Sequence, residues 1–315
     1  MGIAPELLPF LDQFPALELA RESLARTRAE LNKLSKQAAD ELEGFDHIDV
    51  SDEFIDRPRG GGKLRLRLHA RSKDSGKRPG LLWIHGGGYI LGSPEMDEPQ
   101  LCRMADELGC LVVAADYRLA PEHPWPAALD DCDAALGWMI GNSGALRIDT
   151  GSLALAGASA GGGLAAALAL RARDQRPGAI RYQCLIYPML DHRNVTPAAS
   201  QAKEYFLWDH KKNRFAWDCY LGPNDPSGDM SPFASPARAD QLEGLPPAYL
   251  CIGEEDLFYQ ESLEYARRLR DSGVAVELEI VPGAPHAFDK LPAPMSERSL
   301  KRRFAALAQH FAQRA

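Results

Sequence analysis

No uninterrupted apolar run in this 315-residue chain reaches the roughly 18 residues that a membrane helix needs. No charged leader followed by an apolar stretch and a cleavage site opens it, so a cytoplasmic protein is expected. Cysteine is sparse. The six, at 102, 110, 132, 184, 219 and 251, have no C-x-x-C spacing, so neither a disulfide framework nor a structural metal is expected. Cys110, Cys184 and Cys251 fall in predicted strands, where a thiol acts as a small hydrophobe. Positive charge is short as well: 36 Lys and Arg face 44 Asp and Glu, a net charge of −8, which argues against a nucleic-acid partner. The locally basic stretch 57–78 coincides with an alternating strand and reads as a solvated face. There is no internal repeat and no low-complexity tract.

What remains is an alternation. Strands are predicted at 63–70, 81–85, 110–116, 152–157, 184–187, 247–252 and 276–281. Helices are predicted at 98–108, 127–141, 161–173, 259–271 and 296–313. This rhythm predicts a mostly parallel sheet with helices on both faces. The almost wholly apolar runs at 81–84 and 111–115 suit strands buried on both sides. Lys63-Leu64-Arg65-Leu66-Arg67-Leu68 alternates strictly and suits a peripheral strand. A hydrophobic content of 45% supplies a large core, and the length suits one α/β domain.

Gly157-Ala158-Ser159-Ala160-Gly161 closes one apolar strand and opens a small-residue helix. A G-x-S-x-G match alone is cheap, but a serine at a sharp strand-to-helix turn projects its hydroxyl clear of the backbone. The helix N-terminus aims free N–H groups and partial positive charge at it. His85-Gly86-Gly87-Gly88 follows the strand at 81–84. Three glycines ordinarily mean a loop; here they also offer N–H groups that can crowd an oxygen.

A serine hydroxyl needs a base. Of eight histidines, His47 and His69 lie in charged surroundings, and His85 braces the glycine loop. His123 sits in a proline-rich loop, His192 and His210 in an irregular stretch, and His310 on the last helix. His286 alone occupies a Gly/Pro loop directly after a strand, where chemistry concentrates. The base needs a carboxylate. Glu254-Glu255-Asp256 follow the strand at 247–252. Asp256 is best placed, since Leu257-Phe258 draw it inward; Glu255 is the alternative, and Asp289 would have to fold back on its own loop.

With these residues in place the chain resembles the hormone-sensitive-lipase-like branch of the α/β-hydrolases, its bacterial esterases especially. The likeness runs through His85-Gly86-Gly87-Gly88, Asp116-Tyr117-Arg118-Leu119-Ala120-Pro121-Glu122, the glycines of 157–163, Tyr187-Pro188-Met189-Leu190-Asp191, Asp256 and His286. It covers about two thirds of the chain, roughly residues 81–288. The resemblance implies an α/β-hydrolase fold with a helical cap and a carboxylesterase acting on a small-molecule ester without a cofactor. It implies Ser159 as nucleophile, Asp256 as acid and His286 as base, with the N–H groups of Gly87, Gly88 and Ala160 as oxyanion hole. An amidase or an acyltransferase would use the same triad. Two positions depart from the pattern: Ala158 stands where many members have Asp or Thr, and Leu257 where Pro often follows the acid.

Two stretches stand outside the alternation. Residues 1–45 include a helical pattern over 17–34, with Leu24, Leu31 and Leu34 on or near one face. Residues 191–245 hold Phe206, Trp208, Phe215, Trp217, Tyr220 and Phe233. Either these aromatics pack under a loop, or both stretches form a cap over a catalytic domain of 46–315. In the second case Tyr89, Phe206 and Trp208 would bound a small pocket and favour short acyl chains. The strand at 276–281 puts Val276, Leu278 and Ile280 on one face, with Glu277 and Glu279 opposite. As the last strand of an open sheet it could pair with another copy, giving a homodimer.

Overall fold

The apolar runs in the middle of the chain form the centre of one eight-stranded sheet. In chain order the strands are β1 (Ile48–Asp56), β2 (Lys63–Arg71), β3 (Arg78–Ile84), β4 (Leu111–Ala115), β5 (Ile148–Ala158), β6 (Tyr182–Ile186), β7 (Ala248–Gly253) and β8 (Val276–Val281). Their spatial order is β1-β2-β4-β3-β5-β6-β7-β8. Only the β1–β2 and β2–β4 pairs are antiparallel; β4 through β8 run parallel. The computed structural model describes residues 2–13, 18–73, 76–195, 205–222 and 230–312.

Every residue of β4, β6 and β7 is buried. Successive side chains point to opposite faces, so both faces of the central sheet are covered. The cover comes from α2 (Glu98–Leu108), α3 (Ala127–Gly141), α5 (Ala160–Gln175), α7 (Tyr259–Asp271) and α8 (Pro294–Ala312), while the single turn α4 (Ser143–Leu146) buries no residue. Pro99 sits in the first turn of α2, where a missing N–H costs nothing, and Gly109 ends the helix in the left-handed region. Two further helices are α1 (Leu24–Asp40) and α6 (His210–Leu221); the Asp209 carboxylate caps α6 by accepting the Lys212 N–H at 2.9 Å.

Several expectations change. The sequence gives no sign of β1, because seven of its nine positions lie outside the core: it hangs on β2 by backbone pairing. The first long helix runs over Leu24–Asp40, not 17–34. Leu24 is buried, Leu31 half-buried and Leu34 60% exposed, while residue 17 lies outside the described residues. On β8 the two glutamates differ: Glu277 is exposed and pairs with Arg302. Glu279 is buried against Tyr249 and Ser299, and the apolar Ile280 is the residue left 41% exposed. All six cysteines are free and buried. Among the described residues no helix is long and apolar enough to cross a membrane.

Candidate active site

β3, β5, β7 and β8 all end at the same edge of the sheet, where ligands of parallel α/β sheets bind. Ser159 joins β5 directly to α5. Its backbone holds φ 57° and ψ −120°, a region that L-residues avoid, and three bonds keep it there. The Ser159 N–H donates to Ile186 O at 2.9 Å, and Ser159 O accepts the N–H of Gly163 at 3.0 Å and of Met189 at 2.9 Å. Tyr89, Tyr187, Leu207 and Ala287 also have positive φ, so strained backbone collects around this one place.

His286 Nε2 lies 3.0 Å from Ser159 Oγ, and His286 Nδ1 lies 2.7 Å from Asp256 Oδ2. The second oxygen of Asp256 accepts the Phe258 N–H at 2.8 Å, which fixes the carboxylate plane. All three side chains are buried; Asp256 is 2% exposed. The rings of Tyr187 and Phe258 stand edge-on to the His286 ring, at 4.9 and 5.2 Å between centroids. The loops of Asp256 and His286 are drawn together by the Glu255 N–H donating to Ala284 O at 3.0 Å.

The glycine loop follows β3 and lies against the serine turn. A Cβ on Gly86 would come 3.0 Å from Ala158 O and 3.4 Å from Ser159 Cβ. Gly87 and Gly88 have φ of 113° and 61°, which their lack of a side chain permits. His85 donates to Gly86 O at 2.8 Å and stacks on Tyr117 at 4.2 Å; burial lowers its pKa, so it braces the loop as a neutral ring.

A cavity of about 280 Å³ opens on Ser159. Its walls are mostly apolar, with Leu31 from α1, Leu91 and Met96 after the glycine loop, and Leu207 and Trp208 before α6. Arg28 ties α1 to the rim through Ile90 O at 2.7 Å and Glu122 at 2.8 Å. Of the three pocket residues expected from sequence, only Trp208 lines this cavity. Tyr89 lies behind the wall, stacked on Tyr220 at 3.9 Å, with its hydroxyl donating to Met189 O at 3.1 Å. Phe206 is half-buried beside the wall but does not line it. Within 191–245, residues 196–204 and 223–229 lie outside the described residues. The stretch from 230 on packs away from the serine, where Gln241 O accepts from Arg173 at 2.9 Å. A wider, polar cleft of about 690 Å³, lined by Asp191, Arg193, Glu261 and Arg268 among others, does not reach Ser159.

The other candidates fall elsewhere. Asp289 holds Arg303, His123 is exposed on its loop, and His310 is stacked on Tyr182. Among the described residues one group has metal-ligand spacing, His69, Glu98 and Cys102, with donor atoms within 4.8 Å. Both Glu98 oxygens already hold Arg67 at 2.9 Å, and a cation there would face that guanidinium. Sequence reasoning missed Asp97 and Lys290, the charged pair of the cavity wall; nothing in their spacing signals that they meet.

A sequence family described as alpha/beta hydrolase fold matches residues 81–290. Ethyl acetate hydrolase of Pseudomonas putida is 30% identical, over 98% of this chain and 100% of its own. Esterase LipI of Mycobacterium tuberculosis is 32% identical, over 91% of this chain and 88% of its own. The solved structure of a bacterial heroin esterase superposes with a TM-score of 0.92 at 35% identity and covers 98% of both chains.

Proposed function

Because this chain belongs to the alpha/beta hydrolase family, in its hormone-sensitive-lipase-like branch of serine carboxylesterases, we propose that Ser159 is its nucleophile toward short- to medium-chain carboxylic esters, with His286 as base and Asp256 as acid. The chain is a carboxylic ester hydrolase. The observation that carries the assignment is the unbroken line from Ser159 Oγ through the His286 ring to Asp256, 3.0 and 2.7 Å, at the mouth of an apolar cavity.

His286 Nε2 takes the hydroxyl proton as Oγ attacks the ester carbonyl. Asp256 accepts from Nδ1–H, so Nε2 is left free as base, and the imidazolium that forms is stabilised. The carbonyl oxygen becomes an oxyanion facing the N–H groups of Gly87, Gly88 and Ala160; these donors are fixed before reaction, so no reorganisation is needed as charge develops. His286 then protonates the leaving alcohol. A water, activated the same way, releases the acid.

Short chains are favoured because each CH₂ adds about 0.8 kcal/mol only while the cavity has room. The cap consists of α1 and the segment before α6. We also assign the exposed edge at β8 as the contact of a homodimer, on its free backbone groups and the exposed Ile280.

The test is a panel of nitrophenyl esters of graded length, with the matching anilides. Rates should peak at a few carbons, roughly four to six by the methylene arithmetic. Esters should outrun anilides, and a fluorophosphonate probe should label Ser159. Preference for emulsified triolein over a soluble butyrate ester, or labelling of a different serine, would sink the reading.

A further inference from the structure

The cavity at Ser159 has apolar walls with one exception besides the histidine: Asp97 and Lys290 meet on its surface. The two are not alike. Asp97 is 1% exposed and both its oxygens are taken, Oδ2 by the Trp83 indole N–H at 2.7 Å and Oδ1 by the Lys290 ammonium. The Lys290 side chain is 28% exposed. Among the described residues Asp97 is its one hydrogen-bond acceptor. An ammonium has three N–H groups, so two remain without a protein acceptor on a side chain that lines both this cavity and an open cleft beside it. Burial pulls the lysine pKa down, but the neighbouring carboxylates, Asp97 first and then Asp289, outweigh it and hold the proton on.

Unused donors at an otherwise apolar wall have a chemical consequence. A plain alkyl arm lying there would strip water from the two N–H groups and give nothing back. An arm carrying an acceptor oxygen would replace that water. Asp97 beside it makes the pair formally neutral, so a second carboxylate gains little from Lys290 that Asp97 does not take away. A neutral carbonyl avoids that repulsion and its own desolvation is smaller.

We propose that Lys290 is the polar anchor of this pocket, and that the enzyme selects esters bearing a second, neutral carbonyl on the arm that enters it over esters with a plain alkyl arm. The inference rests on Ser159 being the nucleophile at the cavity mouth.

The experiment compares matched substrates: nitrophenyl hexanoate with nitrophenyl 5-oxohexanoate, and pentyl acetate with 4-oxopentyl acetate. Each rate is normalised to hydroxide hydrolysis. In the wild type one oxo member should exceed its alkyl partner in kcat/KM by roughly tenfold or more, the span of one charge-assisted hydrogen bond. The ratio should fall to about one in Lys290→Met and recover partly in Lys290→Arg. Because Lys290→Met strands a buried carboxylate, the double variant Asp97→Asn with Lys290→Met is measured beside it. It keeps an acceptor for Trp83 and should also lose the preference. A ratio near one in the wild type, or one unchanged by these substitutions, overturns the proposal. So does a glutarate monoester, the carboxylate analogue, that outruns the ketone. Turnover persisting in Ser159→Ala would instead locate the failure in the nucleophile assignment.

Discussion

Asp289 is a near neighbour of His286 in sequence, yet its carboxylate faces away, 2.9 Å from the buried guanidinium of Arg303 and 2.6 Å from the Tyr187 hydroxyl. The two acids near the site therefore do different work. Asp256→Asn should leave the melting temperature almost unchanged and lower kcat by on the order of 10³–10⁴-fold, the scale of the equivalent change in other serine triads. Asp289→Asn should do the reverse. Arg303, 0% exposed, would be left without its counter-ion, at a cost of about 3–5 kcal/mol, while the folded fraction keeps its turnover. Thermal melts and kcat on both variants decide it; the opposite pattern would exchange the roles.

A Cβ on Gly88 would come 2.4 Å from the Trp208 ring, and the backbone there has φ 61°. Gly88→Ala should therefore displace the tryptophan wall and the N–H it flanks. We expect kcat/KM to drop by about two orders of magnitude, the cost of a weakened oxyanion donor. Trp208→Ala alone should widen the cavity and move the preferred acyl chain upward. If wall and loop are in contact, the double variant should lose less than the product of the two single losses. Multiplicative kinetics would mean they act independently.

Glu261 accepts the N–H of Leu190 and the Asn194 amide, each at 2.7 Å, yet burial of the carboxyl dominates and pushes its pKa up to about 8. The unfolded carboxyl titrates near about 4.3. Between those values the folded protein holds a proton that the unfolded chain has lost, so stability falls as pH rises through this window. The contribution is complete below the lower value and gone above the upper one. Glu261→Gln should flatten this component of a melting-temperature profile taken from pH 5 to 9. A variant profile parallel to the wild type would remove Glu261 as its source.

Replacing Ile280 by Glu places a charge on the exposed face of the edge strand. Light scattering at micromolar concentration should give two chains for the wild type and one for Ile280→Glu. A dimer that survives the charge, with unchanged affinity, would move the contact off β8.

The residues proposed as catalytic were legible because each lies in the turn or loop that a strand end opens, so locating the strand end narrows the search to a few side chains. Ser159 after β5 and His286 after β8 need nothing more. Asp256 could be separated from Glu255 only by the pull of Leu257 and Phe258, both now buried. The pocket was not legible in the same way. Whether Tyr89 or Trp208 forms the wall depends on which ring Tyr220 stacks against, a matter of tertiary packing. Asp97 and Lys290 come from loops far apart in the chain, and no local pattern links them. β1 was invisible because a strand with only Ile48 buried leaves no hydrophobic period.

At three places around the proposed triad, backbone lies against backbone with no side chain between. A Cβ on Gly161 would fall 2.0 Å from Ile84 O, one on Gly157 2.3 Å from Gly161 O, and one on Gly253 2.2 Å from Ala284 O. The end of β3 is thus locked to the β5–α5 turn, and the end of β7 to the loop after β8, with no soft side-chain layer inside either pair. On heating, such a centre keeps its geometry until the sheet itself gives way. Catalytic inactivation and cooperative melting should then follow one curve, with no warm, folded and inactive form between them.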